Sequence, residues 1–139
     1  CEKPMSLPAI KDTISRAREL DMLVFACADT IAEAKAIAQL HPDIINPEPS
    51  ELIGGTESGV SDMGFVKESI RAIKEIYPDI LVEQAAGITN GQQVYDFIMA
   101  VSEAAGAASG IMNAKNPLAM IDEMIAATRR AADDLRKQR

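Results

Sequence analysis

Short apolar runs alternate with amphipathic helical segments along this chain, and no other feature restricts its fold as strongly. Apolar side chains recur every three or four positions in the helical segments, whereas the runs between them are continuous and of strand length. The order is one helix followed by four strand–helix units. The predicted helices are Leu7–Leu20 with Ser6 as cap, a helix opened by Thr30 and ending before Pro42, Met63–Tyr77, Gln92–Ala104, and Pro117–Lys137 with Asn116 as cap; the predicted strands are Met22–Ala28, Asp43–Pro47, Asp79–Ala86 and Ala105–Ser109.

This alternation predicts parallel strands joined by right-handed crossovers. A parallel sheet needs cover on both faces, or closure into a barrel. Four strand–helix units can form a small open sheet or half of an eight-fold barrel, and periodicity does not separate these two architectures. No low-complexity segment or linker divides the chain, so residues 1–139 are predicted to form a single domain.

The net charge of −7 argues against nucleic acid as a partner, because phosphate backbones need a basic surface. A small phosphorylated ligand stays compatible with this charge, since helix N-termini and backbone amides can bind one without cationic side chains. The two cysteines form neither a disulfide framework nor a metal site, and Cys27 is predicted to be a small buried hydrophobe. With no signal peptide and no bilayer-length apolar run, we expect a cytoplasmic protein without membrane partner, metal or cofactor.

Glu48 is the strongest chemical candidate, because ligands of α/β folds bind at the carboxyl ends of the strands. It follows the second predicted strand and stands between Pro47 and Pro49, which leave the backbone little freedom. A partly desolvated glutamate in such a position can act as a general base. It can equally cap a turn or a short helix, and the two interpretations are evenly matched. Glu51 is predicted to be structural.

The loops after the third and fourth strands are small and contain glycine, "AAGITNG" and "AASGIMNAKNP". Loops of this kind let backbone amides approach an anion, and the helices that follow add their positive ends. Either loop taken singly is better interpreted as a plain turn. The only histidine, His41, lies at a predicted helix C-terminus before Pro42, and we expect it to be a surface residue.

Three ordered segments resemble the archaeal-type triosephosphate isomerases, a form also found in some bacteria. "EPSELIG" (48–54) is similar to the EPPELIG segment of that family, "AAGITNGQQV" (85–94) to its loop after strand seven, and "GAASGIMNAKNP" (106–117) to its loop after strand eight. The leading segment, residues 1–27, is similar to the stretch from just past the fourth strand through the fifth. The resemblance implies the C-terminal half of a (β/α)8 barrel, helix 4 through helix 8, with residues 1–139 as one partial barrel domain.

The family interconverts dihydroxyacetone phosphate and glyceraldehyde 3-phosphate in glycolysis and gluconeogenesis, and a glutamate base with a closing loop is its established mechanism. By resemblance, Glu48 would be the base that moves a proton through an enediolate, and residues 49–60 would form the lid. The remaining implied contacts to substrate or phosphate are Ile53, Gly87, Ala108 and Ser109.

The chain also departs from the family. No position matches the Asn and Lys of the first strand or the His after the fourth, so the resemblance implies a fragment that is inactive alone and belongs to a homo-oligomeric full-length protein. Ala85, Val101 and Asn113 replace residues usual in the family, and the lid sequence differs. Two alternatives remain: another phosphate-binding barrel enzyme of sugar phosphates, or a non-catalytic half-barrel that binds phosphate compounds or assembles through exposed strand edges.

Overall fold

The computed structural model describes residues 4–50, 62–85 and 87–138. Helices and strands follow the predicted order, except that one additional short helix lies between the last strand and the last helix. The elements are α1 (Leu7–Glu19), β1 (Phe25–Ala28), α2 (Ile31–Ala38), β2 (Ile44–Pro47), α3 (Met63–Lys74), β3 (Leu81–Gln84), α4 (Gly91–Met99), β4 (Ala104–Ala105), α5 (Ser109–Met112) and α6 (Pro117–Lys137).

All four strands belong to one parallel sheet, in the order β1-β2-β3-β4. Each strand therefore lies beside its predecessor in the chain, as in the wall of a barrel. Cys27 is in register with Asn46, Ile45 with Val82, and Glu83 with Ala104. Because the carboxyl ends of parallel strands share one edge of the sheet, the loops that follow β1, β2, β3 and β4 emerge at the same end.

The helices cover only one face of this sheet. Ile45 and Val82 are fully buried on that face, in a core that also includes Phe97 and Ile73. Side chains alternate between faces along a strand, so the neighbours of Ile45 and Val82 lie on the opposite face. On that open face Phe25 is 50% exposed and Leu81 is 48% exposed. The described part of the sheet thus has one packed face and one open apolar face.

Three helices begin at the cap residues that the sequence predicts. Ser6 accepts a hydrogen bond from the amide of Ala9, and Asn116 accepts one from the amide of Ala119. Thr30 forms a full capping box with Glu33, in which each side chain bonds the other residue's backbone amide. These caps satisfy amides that a helix leaves unpaired at its start.

Two predicted elements in the second half of the chain have wrong boundaries. Helix α4 was expected to reach Ala104 but ends at Met99, because Val101 has a left-handed backbone (φ 70°) that a right-handed helix cannot include. The fourth strand was expected at 105–109 but is Ala104–Ala105. Ser109 instead opens the short helix α5.

The first, second and third strands are also shorter than predicted, and so is helix α3. Strand β1 begins at Phe25 rather than Met22, because the amide of Met22 still bonds the carbonyl of Ala17 at the end of α1. Tyr77, expected on a helix, lies beyond α3, and its ring centroid is 4.1 Å from that of exposed His41.

Candidate active site

Glu48 follows β2 directly, half-buried at the carboxyl end of the sheet. Its backbone amide donates a hydrogen bond to the carbonyl of Ala28 at 2.8 Å, which continues the β1–β2 pairing one residue past the strand. Pro47 is buried on one side and Pro49 follows on the other, so both neighbours have a fixed φ. The backbone therefore holds Glu48 at a defined place in the site.

Asn46 orients the carboxylate of Glu48. The two residues are two positions apart in an extended segment and so share the open face of the sheet. The Nδ2 of Asn46 donates a hydrogen bond to Oε2 of Glu48 at 3.0 Å, which fixes the direction of the carboxylate. Asn46 is 3% exposed, and its Oδ1 has no hydrogen-bond partner among the described residues. The sequence interpretation missed this residue, although the spacing "N-P-E" was the available signal.

Asp29 ties down the segment that follows Glu48. It lies just past β1, and its two carboxylate oxygens accept hydrogen bonds from the amide of Ser50 (2.6 Å) and from the Ser50 hydroxyl (3.0 Å). The start of the predicted lid is thereby fixed to the end of β1. The first strand is predicted to end at Ala28, but no role is predicted for Asp29 from the sequence.

The two glycine loops meet at the same end of the sheet. Gly87 has a left-handed backbone, φ 70°, which glycine adopts without strain. Any side chain at Gly110 would overlap the carbonyl oxygen of Ile88, so the loop after β3 lies directly against α5. Ala108 precedes α5 and Ser109 is its first residue, so the predicted phosphate residues are brought to one region.

The start of helix α4 is already occupied by side chains. Asn90 accepts a hydrogen bond from the amide of Gln93, and Glu123 of α6 accepts one from the amide of Gly91 at 2.6 Å. A carboxylate thus lies at the positive end of this helix. The expected contribution of α4 to anion binding is therefore reduced, and the amides of the loops themselves become the better candidates.

Part of the predicted site lies outside the described residues. Ile53 falls there, with Glu51 and most of the expected lid at 49–60. Within the described ranges, no cluster of three or more His, Cys, Asp or Glu side chains could hold a metal ion. No helix in those ranges is long and apolar enough to cross a membrane.

Two further ionisable side chains, Cys27 and Glu83, lie near Glu48. Cys27 of β1 is half-buried on the open face rather than in the core, which corrects the prediction of a buried hydrophobe. Burial raises the pKa of its thiol, and the nearby charge of Glu48 raises it further. Burial also raises the pKa of Glu83 in β3, with Glu48 as the second cause. Glu83 stands inside the apolar run "ILVEQ" and was not predicted as a site residue.

The sequence is related to archaeal triosephosphate isomerases over most of its length. Over 125 residues it is 37% identical to the enzyme of Methanocaldococcus jannaschii, 32% to that of Methanothermus fervidus and 30% to that of Archaeoglobus fulgidus. Each match covers 89% of this chain but only 57%, 56% and 56% of the relative, respectively. The predicted resemblance is confirmed, and the chain spans about half the length of the curated relatives it matches. No protein family model matches the chain.

Solved structures share the fold at low sequence identity. A chain of the Amycolatopsis orientalis BexX/CysO complex superposes with a TM-score of 0.65 at 19% identity, covering 90% of this chain and 47% of that one. A cube-shaped cage designed by fusing symmetric oligomeric domains gives a TM-score of 0.67 at 19% identity, with 96% and 45% covered. These likenesses concern the fold alone. With the four-stranded parallel sheet, they confirm the predicted fold class, half of a (β/α)8 barrel.

Proposed function

We propose that this chain, a relative of archaeal triosephosphate isomerases, supplies the catalytic base and the phosphate loops of such an isomerase. Residues 1–139 would form one partial barrel domain of it. The observation that carries the proposal is the placement of Glu48, fixed by the β1 carbonyl and oriented by Asn46 at the end of the sheet where both glycine loops emerge. The sequence relation to three enzymes of that name supports the same reaction.

In the proposed reaction Glu48 takes a proton from the carbon beside the substrate carbonyl, and the electrons move to the carbonyl oxygen. The proton of the neighbouring hydroxyl group then moves to the former carbonyl oxygen, and Glu48 returns its proton to the former carbonyl carbon. The ketone thereby becomes an alcohol, and the neighbouring alcohol becomes the aldehyde. The substrate phosphate would lie against the backbone amides of Gly87, Ala108 and Ser109. Amides need no cationic side chain to bind an anion, and this fits a chain of net charge −7.

The Asn, Lys and His that the family also uses have no matching position in these 139 residues. A base without an electrophile to stabilise the enediolate accelerates the reaction little. We therefore assign the proposed activity to a complete barrel, in which the open face of the sheet is covered by further strands. Ile53 and the rest of 49–60 would close over the substrate in that barrel.

A fusion to the N-terminal half of the M. jannaschii enzyme tests this proposal. The fusion should interconvert the two triose phosphates in a coupled assay, and Glu48→Gln should lower kcat by about 10²- to 10⁴-fold, the usual contribution of a general base. Glu75→Gln is the matched control, because Glu75 lies exposed at the end of α3 in an ion pair with Arg71. Equal activity in the Glu48 and Glu75 variants would refute the base assignment. Phosphate binding without turnover by a folded fusion would instead support a non-catalytic half-barrel.

A further inference from the structure

Four polar side chains crowd the open face of the sheet near its carboxyl end. Cys27 and Asn46 are in register on β1 and β2, and Glu83 lies on β3 at the level next to Asn46, because Ile45 pairs with Val82. Glu48 lies one step further along the same face. The side chain that follows Glu83, Gln84, bonds Ser69 on the helix side, which confirms that Glu83 points the other way. Two carboxyl groups thus share one small region.

The carboxyl group of Glu83 occupies a space that Gly106 leaves free. Any side chain at Gly106 would overlap Oε1 of Glu83, and its Cβ position would also lie 3.4 Å from the Cβ of Ala85. Glu83 is half-buried there. Among the described residues no lysine or arginine forms an ion pair with Glu83 or Glu48. A negative charge on Glu83 is therefore not neutralised by a described cation.

The two carboxyl groups differ in their hydrogen bonds. Glu48 accepts a hydrogen bond from the side-chain amide of Asn46 at 3.0 Å. Glu83 accepts no side-chain hydrogen bond from the described residues, and both burial and the charge of Glu48 raise its pKa. The other groups that face Glu83 are the thiol of Cys27 from β1, the uncharged Ala104 from β4, and Gly106 directly after β4. These surroundings favour the protonated form of Glu83.

We propose that Glu83 and Glu48 form an acid–base pair, in which Glu83 carries the proton and Glu48 is the base. This rests on the proposed function only in that Glu48 is the base. Environments that hold one carboxyl group neutral and its neighbour charged are how enzymes separate acid and base roles between two chemically identical residues. The neutral Glu83 keeps its neighbour free of a second negative charge. It also places an O–H donor at the end of the strands, where a developing oxyanion needs one.

Side-chain carboxyl NMR titration of the 139-residue chain tests the pair. In the unsubstituted chain, the carboxyl carbon of Glu83, assigned by its loss in Glu83→Gln, should titrate at higher pH than the exposed glutamates. Glu48→Gln should shift the Glu83 titration toward the pH at which the exposed glutamates titrate, whereas Glu75→Gln should leave it unchanged. Gly106→Ala, which displaces the Glu83 carboxyl group, should also move it toward the exposed ones. The proposed pair would be refuted if Glu83 titrated at the same pH as the exposed glutamates, or if Glu48→Gln left its titration unchanged.

This titration needs no turnover, so its outcome is separate from that of the isomerase assay. In the fusion with the N-terminal half of the M. jannaschii enzyme, the pH dependence of kcat gives a second test of the pair. Glu83→Gln keeps an N–H donor and should lose only the fall in kcat at alkaline pH, whereas Glu83→Leu should lower kcat about tenfold or more at every pH. Identical profiles for Glu83→Gln and the unsubstituted fusion, with folding verified by circular dichroism, would refute a protonated Glu83.

Discussion

Single residues at the end of β2 (Ile44–Pro47) combine three short-range effects on Glu48. The rings of Pro47 and Pro49 restrict the backbone on either side of Glu48. The Ala28 carbonyl accepts a hydrogen bond from the Glu48 amide, and the Asn46 side chain donates one to the Glu48 carboxylate. Removal of the Asn46 amide would leave the carboxylate free to rotate, yet the backbone would stay in place. The geometry of the base thus depends on one side chain, whereas its location depends on the sheet.

Glu83 should make the stability of the chain depend on pH. Its pKa is raised in the folded state by burial and by Glu48, so the folded chain binds that proton more tightly than the unfolded chain. The resulting stabilisation is complete below the ordinary pKa of glutamate and is lost as the pH rises through the raised pKa. Urea denaturation should therefore show Glu83→Gln gaining free energy of unfolding relative to the unsubstituted chain as the pH rises through that window. A constant difference between the two would contradict this prediction.

Cys27 offers a reporter for the charge of Glu48. Burial is the larger cause that raises the pKa of its thiol, and the charge of Glu48 is the next. Only a small part of the thiol is therefore thiolate at neutral pH. In a Cys1→Ser background, Glu48→Gln should lower that pKa and speed iodoacetamide alkylation of Cys27 severalfold at mildly alkaline pH. In the Glu75→Gln variant, Cys27 should be alkylated at the same rate as in the Cys1→Ser chain alone. The prediction fails when both variants react alike.

At the scale of elements, periodicity predicted the order of helices and strands but not every boundary. Thr30, Ser6 and Asn116 could be identified as caps because capping chemistry is local. The end of α4 (Gly91–Met99) could not, because the left-handed Val101 is set by the packing of the chain into β4 (Ala104–Ala105). Glu83 was missed for a related reason: its position on the same face as Glu48 depends on strand register, which the sequence does not specify. Asn46 could have been found from its spacing, because it stands two positions before Glu48 in the same extended segment.

Asp29 connects two elements, and its loss should loosen the entry to the predicted lid. Asp29→Ala removes both hydrogen bonds to Ser50, whereas Ser50→Ala removes the hydroxyl bond alone and keeps the 2.6 Å amide bond. Amide exchange at residue 50 should therefore speed up about tenfold in Asp29→Ala, as expected for the loss of about 1.5 kcal/mol from a hydrogen bond to a charged group. Ser50→Ala should change it much less. Equal exchange in the two variants would show that Asp29 does not anchor this segment.

At the scale of the whole molecule, the open face of the described sheet carries exposed apolar side chains. Phe25 and Leu81 are each in register with Ile44, and together the three form an apolar row across three strands. In a closed barrel that row lies inside, where side chains of opposite strands pack in layers. The chain spans about half the length of the relatives it matches. In a complete barrel, this row would pack against side chains of the opposite strands.

The exposed row should make the 139-residue chain self-associate. Full burial of an aromatic or leucine side chain contributes about 1.5–3 kcal/mol, and Phe25 and Leu81 are both only about half-buried in the described chain. The double substitution Phe25→Lys with Leu81→Lys should therefore shift sedimentation velocity profiles from concentration-dependent association toward the monomer. Leu23→Lys is a stringent control, because Leu23 is 80% exposed, more than either residue, but precedes β1 (Phe25–Ala28) and lies outside the row. Should Leu23→Lys suppress association as strongly, general surface hydrophobicity would be responsible and the open face would not be the contact.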